Sequence, residues 1–298
     1  MADIVVEQIR PRLARIAAIV NPRAGSVGGG AAEALARQVA NYGGQLSIAC
    51  PEPDDMEQAI RAEIAREPDL VVVLAGDGTA RMAASLCGPA GPLVAPLPGG
   101  TMNMLPHALY GALDWPEALD AALGRGVERQ VSGGRVNGEA FYVAAILGAP
   151  ALWGLAREAV RRGDLIEATR RVRYALRRAF TGELRYGLDG APGRRAEALV
   201  VMTPLISRVM RDETPSLEAA ALSIRGAKAA FRLALSGAFG DWREDPGVTA
   251  SPCGSGWAAA RRSIPAILDG EVRRLPRRVE FAFEPTAFRA LAPLREAG

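Results

Sequence analysis

Three times before Met104 the chain passes from a short apolar run, through a glycine-containing turn, into a helix-favouring stretch. The run 15–20 ends at Asn21-Pro22-Arg23-Ala24-Gly25-Ser26 and precedes the alanine-rich 31–42. The run Leu70 to Leu74 is continuously apolar, as strands buried on both faces are, and leads into Gly76-Asp77-Gly78-Thr79. The run Leu93 to Leu97 leads into Pro98-Gly99-Gly100-Thr101-Met102-Asn103 and a helix that Gly111 ends. Between the first two, 45–49 reads as a strand and 54–66 as a helix with Asp54 or Asp55 as its cap. This alternation predicts a doubly wound α/β domain with a parallel sheet over roughly residues 12–125. The first domain is drawn at 1–126.

Beyond Gly126 the texture changes. The runs 129–136 and 140–147 flank Asn137-Gly138, a strong short hairpin signal. Strand-like runs follow at 184–188, 197–202, 220–224, 264–268 and 278–283, after an arginine-rich helical segment at 155–180. Residues 127–298 are read as a second, mainly antiparallel domain, with the last residues returning to the first.

The carboxyl ends of strands in an open parallel sheet converge on one crevice, so the three glycine loops are expected to line one site. Glycine lets backbone approach a ligand, and amides at helix starts favour phosphate. Lys228 is the single lysine among 36 basic residues, so no Gly-Lys-Ser/Thr exists and the P-loop NTPases are excluded. The first loop has Asn21-Pro22 in place of Gly-x-Gly-x-x-Gly, which argues against a dinucleotide-dependent dehydrogenase. Asp77, framed by glycines at a strand end, is expected exposed in the crevice. There it suits Mg2+ carried in by phosphates, an attacking hydroxyl, or a helix cap.

A net charge of +3 is far from the field of a dedicated nucleic-acid binder, and no nucleic-acid partner is expected. Cys50, Cys87 and Cys253 are far apart without metal-ligand spacing, which fits a reduced, cytoplasmic compartment. Asp3 and Glu7 interrupt the start of the chain, and no signal peptide is read there. The uncharged stretch 143–156 is shorter than the roughly 20 residues of a membrane span and contains Pro150.

Taken in order, Asn21-Pro22-Arg23-Ala24-Gly25, Ala75-Gly76-Asp77-Gly78-Thr79, Pro98-Gly99-Gly100-Thr101-Met102-Asn103 and Asp269-Gly270-Glu271 resemble the four signature motifs of the diacylglycerol kinase catalytic-domain family. That family includes sphingosine kinases, ceramide kinases and bacterial lipid kinases, and the resemblance runs over nearly the whole chain. Asn137-Gly138 with the following Leu147-Gly148 resembles the start of the family's second domain. The Gly-Asp-Gly-Thr segment alone is shared with NAD kinases.

The resemblance implies an ATP-binding α/β domain, a β-sandwich domain covering a lipid acceptor, and a cleft between them where the γ-phosphate moves to a lipid hydroxyl. It places ATP, with its Mg2+ near Asp77, against Asn21, Gly25, Gly76, Asp77, Gly78, Thr79, Gly100, Thr101 and Asn103. It makes Glu271 the proton acceptor and sets Asp269 near the phosphate, with Asp77 as a second candidate base. Asp269 and Glu271 stand at i and i+2, which on a strand share a face. The chain departs from the family at Arg81 and Met82, where a polar pair is usual, and at Met104-Leu105-Pro106. It departs again at 217–222, where Glu218 alone remains of an acidic metal-binding segment, so no structural metal is expected.

Between Arg157 and Arg178 basic residues outnumber acidic ones, and Leu165, Thr169, Val172, Leu176 and Phe180 fall at helical spacing. That segment is read as a helix packed on the second domain or as a contact with an anionic membrane at the inner face. His107 is given no role. Trp153, Trp242 and Trp257 are read as packing residues or as the lining of an apolar acceptor pocket.

The leading expectation is an ATP- and Mg2+-dependent lipid kinase acting on a diacylglycerol-like or long-chain-base lipid. An NAD kinase-like enzyme and a non-catalytic nucleotide- or lipid-binding relative stand as alternatives. A homodimer is compatible with a free edge strand in the second domain.

Overall fold

A computed structural model describes residues 11–148, 184–206, 215–223 and 246–294. The described residues fall into two compact units: those up to Val131 together with those from Thr286 on, and Ser132–Pro285. The segment from Arg157 to Arg178, Trp153 and Trp242 lie outside the described residues.

In the first unit β1 (Arg15–Val20), β2 (Gln45–Ala49), β3 (Leu70–Ala75) and β4 (Leu93–Pro98) are parallel, in the order β2-β1-β3-β4. All residues of β3 and β4 are buried, because α1 (Ala31–Ala40), α2 (Met56–Ile64), α3 (Asp77–Cys87), α4 (Met104–Tyr110) and α5 (Trp115–Arg125) cover the sheet. Helix α1 turns Ala31, Leu35 and Val39, four residues apart, toward the sheet. Asp114 and Glu117 form a reciprocal capping box that starts α5. Helix α2 begins after a short 3-10 turn at Pro53–Asp55, and neither Asp54 nor Asp55 caps it through its side chain.

The second unit is a sandwich of two antiparallel layers. The strands are β5 (Val127–Val136), β6 (Glu139–Phe141), β7 (Ala144–Gly148), β8 (Leu184–Leu188), β9 (Arg194–Ala196), β10 (Ala198–Met202), β11 (Leu217–Leu222), β12 (Val248–Cys253), β13 (Ser255–Ala259), β14 (Ile264–Leu268), β15 (Glu271–Leu275) and β16 (Arg278–Ala292). One layer runs β12-β11-β10-β7-β14-β15. The other contains β16-β13-β8-β9, with β5 and β6 attached. Phe141, Tyr186, Ala258 and Phe281 of the second layer share a core with Leu147, Val201, Leu217 and Ile264 of the first. Asn137 and Gly138, at φ 51° and 87°, make the tight turn between β5 and β6.

The long strand β16 belongs to both units. Its start pairs with β13, while Ala290 lies beside Val94 of β4. There the buried Tyr110 hydroxyl donates to the Leu291 carbonyl at 2.7 Å, and burial pushes its titration far up.

The apolar run 140–147 is two strands rather than one. Phe141 pairs with β5 in one layer, and Ala144 begins a strand of the other. The crossing is held by two buried polar side chains. The Asp269 carboxylate accepts from the amides of Tyr142, Val143 and Ala144 at 2.7, 2.9 and 3.0 Å. The Thr203 hydroxyl donates to the Tyr142 carbonyl at 2.6 Å, and its amide donates to the Val143 carbonyl at 3.1 Å.

All three cysteines are free. Burial pushes the thiols of Cys87 and Cys253 up to about 12, whereas Cys50 is exposed and raised less. A thiol reagent near neutral pH is therefore expected to label Cys50 well ahead of the other two in folded protein, and all three after denaturation. Among the described residues no helix is long and apolar enough to cross a membrane.

Candidate functional site

In the first unit the sheet order reverses between β1 and β3, so the loops leaving their carboxyl ends diverge and open a crevice. The structure brings all three glycine loops together there. Ser26 donates its amide to the Gly99 carbonyl at 3.1 Å, and Asn21 donates its own to the Leu74 carbonyl at 2.9 Å. A Cβ on Gly100 would stand 2.9 Å from the Gly76 Cα, and one on Gly25 3.3 Å from the Thr101 hydroxyl oxygen. A Cβ on Gly99 would stand 2.7 Å from the Val27 side chain and 2.9 Å from the Ala75 backbone. The loops meet backbone to backbone because side chains are missing at these points.

Two asparagines shape the loops. Asn21 accepts from the Arg23 amide at 3.0 Å through its side chain. Asn103, at φ 50°, accepts from the Gly100 amide at 2.7 Å and donates to the Gly100 carbonyl at 3.1 Å. The Arg23 guanidinium pairs with Glu52 at 2.7 Å on the exposed side of the first loop. Thr101 and Met102 are exposed at the tip of the third.

Helix α3 starts at Asp77 with no side-chain cap, so the amides of Asp77, Gly78 and Thr79 head an eleven-residue helix at the meeting point of the loops. This cradle fits a nucleotide: glycine backbone that a Cβ would fill, and helix-start amides for phosphate oxygens. Asp77 is half-buried rather than exposed, and it accepts from the Met104 amide at 2.6 Å. It therefore caps α4 from the first turn of α3 and ties the second loop to the third. A clash at Gly100 acts on the same tie. Gly100→Ala is expected to weaken the binding of any nucleotide held in this cradle at least tenfold, with ATP as the probe in titration calorimetry, because its Cβ forces backbones apart where no flexible side chain can yield.

In the second unit Asp269 and Gly270, at φ 46° and 85°, form the two-residue turn between β14 and β15, with Leu268 paired to Glu271. The expectation that Asp269 and Glu271 share a strand face is thus overturned, because Asp269 is in the turn and not on a strand. Its carboxylate is only 1% exposed and is taken up by the three amides of the strand crossing. Those surroundings assign it the sandwich rather than a phosphate.

Glu271 opens β15, half-buried, and its carboxylate meets Arg273 at 2.5 Å. Arg273 also pairs with Glu139 at 3.2 Å, giving a Glu139-Arg273-Glu271 chain that orients the Glu271 carboxylate. Arg273 and Glu139 were not singled out from sequence, although arginine at i+2 on a strand from a candidate base was a readable signal. Leu217–Leu222, the position of the lost acidic segment, is the inner strand β11, with Glu218 only 1% exposed. Among the described residues no three His, Cys, Asp or Glu side chains group as metal ligands. Arg81 and Met82 are half-buried on α3, and His107 is exposed on α4.

A parallel sheet with three glycine loops meeting at an uncapped helix start defines a doubly wound α/β domain whose crevice has the shape and amides to fit a nucleotide. Residues 15–136 match the family model of the diacylglycerol kinase catalytic domain, which bears out the family resemblance and spans the first three motifs, with Asp269-Gly270-Glu271 outside the match. A diacylglycerol kinase from Bacillus anthracis str. Sterne is similar at 18% identity over 95% of this chain and 98% of its own, with a TM-score of 0.67. A second structure from that organism gives 19% identity over the same shares and a TM-score of 0.70. An NAD kinase from Archaeoglobus fulgidus, solved in complex with ATP, is similar at 11% identity over 92% of each chain, with a TM-score of 0.52. At these identities the likeness is one of fold: a parallel, helix-flanked sheet followed by an antiparallel unit.

Proposed function

We propose that this protein is an ATP- and Mg2+-dependent kinase that transfers the γ-phosphate to a hydroxyl of a diacylglycerol-like or long-chain-base lipid. The observation that carries the reading is the backbone contact of the three loops at the start of α3, within residues that match the diacylglycerol kinase catalytic domain. The amides of Asp77, Gly78 and Thr79 receive phosphate oxygens, and Gly25, Gly76 and Gly100 let the nucleotide lie against backbone. Asn21 and Asn103 hold the loops in shape, and Thr101 offers its hydroxyl at the tip.

Asp77 is the carboxylate of this loop that would hold a Mg2+ carried by the nucleotide, which would supply neutralisation of phosphate charge. Glu271, oriented by Arg273, accepts the proton of the attacking hydroxyl. Phosphoryl transfer asks for positioning and charge neutralisation more than for a strong base, and a glutamate held by an arginine meets that need.

The test is ADP formation in the presence of mixed micelles of diacylglycerol, ceramide or sphingosine, or of NAD, against no acceptor. Stimulation by a lipid and not by NAD is expected. Stimulation by NAD alone supports the NAD kinase-like reading, and ATP binding without stimulation by anything supports the non-catalytic one. Membrane contact through Arg157 to Arg178 and a homodimer remain parts of this reading that vesicle binding and sedimentation address.

A further inference from the structure

On the outer face of the layer that contains β8, β9, β13 and β16, strand register lines up arginines. Arg195 stands opposite Arg185, Arg185 opposite Ala259, and Ala259 opposite Arg278. Directly opposed residues share a face, so three guanidiniums occupy one row across four strands, all on exposed residues. The neighbouring positions Tyr186, Ala258 and Val279 are buried and face the core. Arg261, Arg262 and Arg277 are exposed at the same end. The Arg277 carbonyl accepts from Ala260 at 2.8 Å, one step past the Ala259–Arg278 pair.

The next row of this face is Gly187, Trp257 and Glu280. The indole lies across glycine: a Cβ on Gly187 would stand 2.5 Å from its Nε1, and one on Gly193 3.1 Å from its ring carbons. The Arg278 guanidinium sits over the ring, 4.5 Å from its centre. Trp257 is therefore a half-buried packing residue of this face. Ala259, between Arg185 and Arg278, adds no long side chain to the row.

Like charges set opposite one another on adjacent strands destabilise the sheet. The row concentrates positive charge on one exposed face, which suits a partner that carries negative charge. A row that crosses four strands fits an extended surface rather than a groove-bound peptide. The Trp257 ring already carries Arg278, which removes the stacking platform that single-stranded nucleic acid needs. Tryptophan beside basic residues suits the interface of an anionic bilayer.

We infer that this face, with Arg185, Arg195 and Arg278 at its centre, docks the second unit on an anionic phospholipid bilayer. The inference rests on the lipid-kinase reading for its biological sense, and its test does not depend on catalysis. Full-length protein and the triple variant Arg185→Gln, Arg195→Gln, Arg278→Gln are sedimented with vesicles of phosphatidylcholine alone and of phosphatidylcholine with phosphatidylglycerol. At about 1 kcal/mol per basic residue, the triple variant binds the anionic vesicles on the order of a hundredfold more weakly, while neutral vesicles retain neither protein. A triple lysine variant keeps the charge and keeps the binding, which separates charge from misfolding.

Unchanged binding of the glutamine variant overturns the inference. So does a loss confined to an oligonucleotide probe with vesicle binding intact. Phosphorylation of lipid in neutral detergent micelles, run alongside, is expected to be equal in wild type and variant. Its complete absence from both defeats the kinase reading while the docking face stands on the vesicle result.

Discussion

Asp269→Ala is expected to lower the unfolding midpoint by about 6 °C or more. The carboxylate is the acceptor for three amides at the point where the chain leaves one layer of the sandwich for the other. Each buried donor left without an acceptor costs about 1–3 kcal/mol. Three of them amount to at least about 3 kcal/mol, and in chains of this size each kcal/mol moves the midpoint by roughly 2–4 °C. Asp269→Asn keeps an acceptor oxygen and loses less. Differential scanning calorimetry of both variants checks this, and a midpoint for the alanine variant within about 2 °C of wild type contradicts it. A fall in activity that tracks the fall in stability identifies Asp269 as the support of Glu271's hairpin rather than a group at the phosphate.

The second large effect is at Glu271. A positioned proton acceptor contributes typically 10²–10⁴-fold, so Glu271→Gln is expected to lower kcat by at least about a hundredfold. The substitution is nearly isosteric and half-buried, and it removes one partner of Arg273 without emptying the site. Nucleotide affinity is expected to stay within about twofold, because the phosphate cradle is built from residues of the first unit. A Glu271→Gln enzyme with near wild-type kcat removes Glu271 as the base and leaves Asp77 as the candidate.

The first unit was legible because its signals were local. Leu70 to Leu74 is apolar without interruption, the loops carry their glycines where backbones meet, and Gly111, at φ 75°, ends α4 as read. The second unit was harder. Val248–Cys253 carries Pro252, Ser255–Ala259 is small and polar apart from Trp257, and Glu271–Leu275 is half charged, so none has the alternation of a half-buried strand. The break within 140–147 has no local signal at all, since residues on both sides are apolar. It exists because two layers need a crossing, and the groups that hold it, Asp269 and Thr203, lie 125 and 60 positions away in the chain.

The same distance explains the partial reading of Asp269-Gly270-Glu271. Sequence marks both acids but does not show that a left-handed turn separates them. One goes to buried backbone and the other to an arginine. Asp77 shows the converse, a residue whose helix-capping and ligand-facing readings were both open and whose contact with the Met104 amide makes it a tie between loops.

Transfer of phosphate to a lipid is what separates the kinase reading from its alternatives. The most direct measurement follows label from γ-labelled ATP into the organic phase, with diacylglycerol, ceramide and sphingosine in mixed micelles and NAD retained in the aqueous phase. Label is expected in one lipid class, dependent on Mg2+, reduced at least about a hundredfold in Glu271→Gln. Label in NAD with none in any lipid, or none in any acceptor while ATP still binds, contradicts that expectation.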